Sequence, residues 1–311
     1  MLVLSEVLTG PVRHSTALPS DVAKRVLALR LGEIVRTFDR PIAHAFSPDV
    51  FTGIDCRLVT SSGSRPRLVG AVCGRAAITG GQILQASAMV EVTGRTPDRR
   101  PWAYYLARPG QAQTIGKGKP GPIANGFLTD VVGAGLDLGG IAERLMDEVQ
   151  GSSALDRRPA FRAARTRLRW ILEPSPDEDD HIAFTVHELP HRTLRISSSR
   201  LTPGRAADFA ADIARHDWLV TTLTSMVEQS GLESGMDERV AMRLQPVVDH
   251  LLHLWMPAAR SDSHARALWA SVESASGFTR QWETQVARVR DQLTMYTIAL
   301  LRTSSGRAKS A

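Results

Sequence analysis

AAITGGQILQASAMVEV, residues 76–92, has the pattern of two β-strands joined by a tight turn. The pair Gly80 and Gly81 tolerates the positive φ angles that short hairpin turns require. On either side of the pair the residues are small, apolar or β-branched, which favours strands. The stretch therefore predicts a hairpin of two strands, residues 68–78 and 82–92.

Other strand-like segments surround this hairpin throughout the first two hundred residues. They are short runs bounded by Gly, Pro, Ser or Asp, at residues 2–8, 42–46, 54–59, 102–106, 165–172, 181–186 and 192–198. Two helices interrupt them: one begins at Ser20 and stops at Gly32, and the other is LGGIAERLMDEVQ, residues 138–150. The region is predicted to be β-rich with a few helices.

Beyond Thr202 the pattern changes to helix. Thr202 and Pro203 form a good helix start, and an apolar stripe with steps of four and three residues follows: Phe209, Ile213, His216, Val220, Leu223 and Val227. Further helices are predicted from Asp237 to Pro257, with a kink at Pro246, then over 263–272 and 276–301. The predicted class is α+β: a β-rich domain, 1–200, a C-terminal helical bundle, 201–302, and a disordered basic tail, 303–311.

The bulk composition excludes several classes of protein. No apolar run is long enough to cross a bilayer, and MLVLSEVLTG meets Glu6 too early for a signal peptide, so we expect a cytoplasmic protein. Cys56 and Cys73 lack zinc-ligand spacing and are expected to be reduced thiols. GKGKPGP, residues 116–122, lacks the spacing of a phosphate-binding loop. No cofactor is predicted.

An arginine-rich segment, DRRPAFRAARTRLRW, is the best candidate for binding an anion. If residues 165–172 form a strand, Arg165, Arg167 and Arg169 share one face, and Arg157 and Arg158 lie just before it. Such a row suits a phosphate backbone. The alternative is a face neutralised by nearby acids, such as those of EPSPDEDD, residues 173–180. The formal net charge of +6 lies entirely within residues 1–200, which permits an anionic partner.

The stretch DHLLHLWMP, residues 249–257, contains a possible metal-ligand set, Asp249, His250 and His253. With Leu251 at the centre of the apolar face, Asp249 and His253 fall on the polar side, and His250 lies on the flank. A local contact between Asp249 and His253 is the simpler interpretation. A metal would need further ligands from another element, and spacing identifies none.

His216 occupies the middle of the apolar stripe of its helix. It is either a buried histidine with a hydrogen-bond partner or one that lines a cavity, and with Asp217 it forms the weak catalytic candidate of the chain. Trp218 falls on the far side, where it is expected to pack on the β-rich domain or on a protein partner.

Six stretches together resemble a family of uncharacterised actinobacterial proteins of the Streptomyces type: GIDCRL, RAAITGGQILQASA, PWAYYLARPG, LDRRPAFRAARTRLRW, HDWLVTTL and VDHLLHLWMPAAR. The resemblance extends over about residues 1–301. It implies a role in a multi-protein system, since such proteins are encoded in a cluster that includes a variant ParA/MinD-like P-loop protein. It implies no activity for any residue.

Three functions remain open from the sequence. The leading hypothesis is a non-enzymatic binding or assembly component of a cytoplasmic multi-protein system that acts with a P-loop ATPase. The second is nucleic-acid binding through the arginine-rich strand. The third is a metal-dependent enzyme that uses some of the histidines and aspartates named above.

Overall fold

The predicted hairpin lies in the middle of a large sheet. In the computed structural model, which describes residues 1–129, 135–175, 179–188, 190–232, 237–259 and 262–308, strands β5 and β6 pair antiparallel from Cys73 opposite Met89 to Thr79 opposite Ile83. Gly80 and Gly81 have φ angles of 57° and 68°. The hairpin and its turn are confirmed.

Ten strands in the described residues form this sheet, in the order β2-β3-β5-β7-β6-β1-β8-β10-β9, with β4 on β5. Neighbours are antiparallel except for the parallel pairs β6–β7 and β8–β10. The strands are β1 Leu2–Pro11, β2 Arg36–Phe38, β3 His44–Phe46, β4 Val50–Arg57, β5 Arg67–Thr79, β6 Ile83–Thr96, β7 Gln111–Ile115, β8 Thr166–Glu173, β9 His181–Val186 and β10 His191–Ser197.

Eight α-helices in the same residues accompany the sheet. They are α1 Ser20–Leu27, α2 Trp102–Leu106, α3 Pro120–Thr129, α4 Leu138–Gln150, α5 Pro203–Ser230, α6 Glu238–His250, α7 Ser263–Ser276 and α8 Phe278–Ala308. Helix α5 begins as predicted: Thr202 Oγ1 accepts a hydrogen bond from the backbone N–H of Arg205, and Pro203 follows it. Gly231, with φ at 80°, ends the helix. The chain is a mixed α and β protein with a helical C-terminal region.

Strand β1 lies between β6 and β8, and hydrophobic clusters cover both of its faces. Val3 and Val7 belong to the cluster that contains α5 to α8, whereas Leu2 and Leu4 belong to the cluster that contains α1, α3 and α4. A strand covered on both faces reads as a continuous apolar run. The C-terminal helices therefore share a hydrophobic core with the β-rich region.

Several element boundaries differ from the sequence predictions; helix α1, for example, ends at Leu27 rather than at Gly32. Residues 102–106 form α2 instead of a strand, because Pro101 starts a turn that buries Tyr105 and lets its hydroxyl accept a hydrogen bond from Arg100 N. Helix α6 ends at His250 rather than near Pro257, and a short 3₁₀ turn, Leu252–Leu254, follows. Helix α8 continues to Ala308, into the segment predicted as a disordered tail. Residues 309–311 lie outside the described residues.

None of the described helices is both long and apolar enough to cross a bilayer.

Candidate functional site

Of the three predicted arginines, Arg167 and Arg169 share one face of β8 and Arg165 lies just before the strand; helix α4 covers this face. Arg169 lies opposite Glu6 of β1 in the sheet, and its Nε is 3.2 Å from Glu6 Oε2. Arg167 Nε is 3.2 Å from the other carboxylate oxygen, Oε1. Glu6 itself is fully buried. One buried carboxylate therefore holds two guanidinium groups.

Helix α4 supplies the remaining negative charge. Glu143 forms an ion pair with Arg167, and Asp147 Oδ1 is 3.2 Å from Arg165 Nη2. A Cβ on Gly139 would lie 2.6 Å from Glu6 Oε1 and 2.7 Å from Arg167 Nη1. Glycine at this position lets α4 approach the buried pair.

These carboxylates and guanidinium groups neutralise one another within the fold and form an internal charge network. Burial raises the pKa of Glu6, and Arg169 and Arg167 oppose that shift. Arg169 is only 10 % exposed, and its Nη1 donates a hydrogen bond to the Phe127 carbonyl at 2.9 Å. The opposite face of β8 is buried as predicted, at Thr166, Leu168 and Trp170.

None of the described acids of EPSPDEDD pairs with these arginines; residues 176–178 of that stretch lie outside the described residues. The sequence did not reveal the true partners, because they lie on other elements: Glu6 is on β1, and Glu143 and Asp147 are on α4. Arg157 and Arg158 are exposed in the connection between α4 and β8. They lie outside the network.

His216 is fully buried in a cage of aromatic rings. Its ring centroid is 4.9 Å from that of Trp255 and 5.1 Å from that of Trp269, both edge-on. Its Nδ1 donates a hydrogen bond to the Asp212 carbonyl at 2.8 Å. Burial lowers the pKa of His216 to about 4, although the Asp212 carboxylate opposes the shift. The histidine is neutral at pH 7 and part of the core.

Asp217 does not share a site with His216. Its Oδ1 accepts a hydrogen bond of 3.0 Å from Arg192 Nε on β10, and both side chains are buried. Burial raises the pKa of Asp217, and Arg192 opposes that shift. The two weak catalytic candidates thus face different elements, and Asp217 joins α5 to the sheet.

Trp218 is fully buried and packs within the chain. Its Nε1 donates a hydrogen bond of 2.8 Å to the carbonyl of Ala164, just before β8, and its ring centroid is 6.2 Å from that of Phe161. Of the two predicted alternatives, the structure shows packing on the β-rich region.

The residues of DHLLHLWMP separate at the end of α6. Gln82 Nε2 donates to His250 Nδ1 at 2.7 Å, and the His250 ring stacks on Phe161. His253 lies beyond the end of the helix, where burial lowers its pKa. Because α6 stops at His250, the predicted helical spacing between Asp249 and His253 does not form. Among the described residues, no group of three or more His, Cys, Asp or Glu side chains is placed to hold a metal.

The two cysteines are free thiols, and both are partly buried. Burial raises the pKa of Cys56 and of Cys73 to about 11. Both thiols are therefore protonated at neutral pH and poorly nucleophilic.

A cleft of about 410 Å³ lies between α5 and the β3–β5–β6 part of the sheet. Its charged lining is largely paired: Arg215 with Asp212, Arg205 with Asp262 at 2.9 Å, and Arg75 with Asp49 at 2.8 Å. These residues come from four separate parts of the chain, and no sequence spacing connects them. The cleft has room for a small polar molecule.

A second concavity, of about 480 Å³, is an apolar groove between α6 and α8. Its walls include the partly exposed side chains Val248 and Ile298, which are 45 % and 39 % exposed, and the buried side chains Val247 and Val289. The sequence predicted both helices but gave no sign that their faces leave a groove between them.

Comparison with known proteins yields no match, whether to a protein-family model, to a curated protein or to a solved structure.

Proposed function

We propose that this protein is a non-enzymatic assembly component of a cytoplasmic multi-protein system, in which α5–α8 form a helical bundle that docks a partner protein. The observation that carries this function is the apolar groove between α6 and α8. Grooves of this kind accept the apolar face of an amphipathic helix. Exposed apolar side chains such as Val248 and Ile298 gain free energy when a partner covers them.

The charge around the groove favours an acidic partner helix. Among the side chains of α8 that the structure describes, Arg280, Arg288 and Arg290 are basic and Glu283 and Asp291 are acidic; Arg290 lines the groove, and its Nε is 3.5 Å from Asp291 Oδ1. A second copy of this chain would bring one basic α8 against another, which like charges oppose. The occupant we propose is therefore an amphipathic helix with acidic flanks. The first protein to test is the P-loop ATPase that the family resemblance implies.

Sedimentation velocity of this protein, alone and mixed with that ATPase at tens of micromolar, tests the proposal. We expect a complex that the double variant Val248→Asp/Ile298→Asp weakens at least roughly tenfold, because charges would enter an apolar contact. Met295→Asp is the matched control: Met295 is also on α8 and is 64 % exposed, but it does not line the groove.

Absence of a complex would count against the assembly role with this ATPase. A complex that the double variant leaves intact would place the contact elsewhere. Self-association that the double variant abolishes would show that the occupant is a second copy, against the charge argument. Thermal unfolding of each variant checks that the fold is retained.

A further inference from the structure

The formal net charge of residues 50–119 is higher than that of the whole chain. They include ten Lys and Arg against three Asp and Glu, a balance of +7, whereas the whole chain has a formal net charge of +6. Arg75 is partly buried. The other nine basic residues are exposed and are called the basic surface below: Arg57, Arg65, Arg67, Arg95, Arg99, Arg100, Arg108, Lys117 and Lys119.

The sheet gathers much of the basic surface at one end of four adjacent strands. Arg57 of β4 lies directly opposite Arg67 of β5, and Arg67 lies opposite Ile115 of β7. Arg95 of β6 lies opposite Thr114, the residue before Ile115, so it lies at the same end of the sheet but on the other face from Arg57 and Arg67. Lys117 and Lys119 follow the end of β7, where a Cβ on Gly118 would be 2.9 Å from Pro66 Cγ.

Few acids neutralise this charge. Asp55 is shared by two arginines: Arg67 Nη2 donates to it at 2.7 Å and Arg99 Nε at 3.1 Å. Hydrogen bonds from Arg67 lower the pKa of Asp55. Within the described part of the chain no ion pair reaches the remaining exposed members Arg57, Arg65, Arg95, Arg100, Arg108, Lys117 and Lys119. Like charges directly opposite in a sheet, as in Arg57 and Arg67, are unfavourable for folding. Folding therefore gives no reason for this concentration of charge.

Aromatic rings lie among the basic side chains. The guanidinium carbon of Arg108 is 3.9 Å from the ring centroid of Tyr104, and that of Arg99 is 5.0 Å from the ring centroid of Trp102. Trp102 rests over Gly53 and remains 38 % exposed. Unpaired bases stack on aromatic rings and on guanidinium planes, whereas bases inside a duplex are already stacked on each other.

From these observations we propose that the basic surface binds single-stranded nucleic acid. The phosphates contact the unpaired Lys and Arg side chains, and bases stack on the Arg99–Trp102 and Arg108–Tyr104 pairs. Binding of this kind tracks the backbone and needs no particular base sequence. The proposal is independent of the α6–α8 groove.

Fluorescence anisotropy with labelled dT20 and with the dT20·dA20 duplex, between 50 and 200 mM NaCl, tests the proposal. With about five phosphate contacts, the affinity for dT20 should fall roughly 100-fold over this range. Replacing Arg57, Arg65 and Lys117 together with Ala should reduce the slope of log affinity against log salt by about 2. The matched control replaces three exposed arginines on other helices, Arg239, Arg266 and Arg280, and should leave the slope unchanged.

Two further variants test stacking. Trp102→Ala should weaken binding of dT20 roughly tenfold with little change in salt slope or in duplex affinity. Arg108→Gln should also weaken dT20 binding, and it removes an exposed side chain, so the fold is retained. Absence of dT20 binding at 50 mM NaCl would overturn the proposal. An equal reduction of the salt slope in the two triple variants would also overturn it. Binding to phosphatidylserine vesicles without binding to dT20 would assign the surface to a membrane instead.

Discussion

Two arginine-rich regions of this chain have opposite environments. Arg165, just before β8, and Arg167 and Arg169 within it lie against α4 and are paired with Asp147, Glu143 and the buried Glu6. On the basic surface, Arg57, Arg65 and Arg95 are exposed and have no ion pair with any described residue. The arginines of the first region are closer together in the sequence, whereas those of the second have fewer acidic partners. The density of arginines along this chain is therefore a poor guide to which of them remain exposed.

The difference follows from what covers each sheet face. Gly139 lets α4 approach the β8 arginines, and the fold places a carboxylate from β1 between two of them. At the end of β4, β5 and β7, helix α2 lies on the face that bears Arg67; its Trp102 and Tyr104 rings contact Arg99 and Arg108, and a single acid, Asp55, pairs with Arg67 and Arg99. Charge that is neutralised within the fold stabilises it, and charge that is left exposed is available to a ligand.

The largest effect is expected at the buried carboxylate. Glu6→Gln removes the charge that compensates Arg167 and Arg169, and breaking a buried pair in this way costs about 3–5 kcal/mol. Urea unfolding measures the loss. Glu143→Gln is the matched control: it removes a second acid from Arg167, but Glu143 is half exposed, so the loss should be below about 1 kcal/mol. A loss below about 1 kcal/mol for Glu6→Gln would show that the network does not need this charge.

A smaller effect on stability is expected from the titration of the buried His216. The pKa of His216 is about 4 in the fold, below the value of about 6.5 for an unfolded chain, so the unfolded state binds the proton more readily. The contribution of neutral His216 to the free energy of unfolding is complete above pH 6.5 and is lost as the pH falls towards 4. At pH 5 the loss should be about 2 kcal/mol relative to pH 7.5.

Urea unfolding at pH 5 and pH 7.5 checks this prediction. His216→Gln should reduce the difference in unfolding free energy between the two pH values by that amount. His181→Gln, which removes an exposed histidine, is the control and should keep the wild-type difference. An unchanged difference in His216→Gln would mean that His216 does not titrate below its unfolded range.

The smallest effect on stability is expected on the basic surface. Replacing Arg57, Arg65 and Lys117 together with Ala removes three exposed side chains that have no described ion pair, so the free energy of unfolding should change by less than about 1 kcal/mol. Thermal or urea unfolding of the triple variant measures it. A loss above about 2 kcal/mol would show that these side chains support the fold, as those of β8 do, and would remove the contrast between the two regions.

Local patterns in the sequence predicted much of the secondary structure. The Gly80–Gly81 turn, the start of α5 at Thr202 and the stripe from Phe209 to Val227 all appear where the residues place them. Turn, capping and periodicity signals act over a few residues, so the chain itself contains the information. The short helix α2 was missed because three of its five residues, Trp102, Tyr104 and Tyr105, are aromatic, which is typical of a strand.

The sequence by itself determined that Arg165, Arg167 and Arg169 share one face, that His216 belongs to an apolar stripe and that positive charge is concentrated before residue 200. Only the tertiary structure decided that Glu6 neutralises two of those arginines, that Trp255 and Trp269 enclose His216, and that the basic side chains from Arg57 to Lys119, except Arg75, are exposed. The physical reason is the range of the interactions. Alternation and helical period fix which way a side chain points, whereas its charge state and accessibility depend on partners from other elements, such as Glu6, which is 163 residues from Arg169.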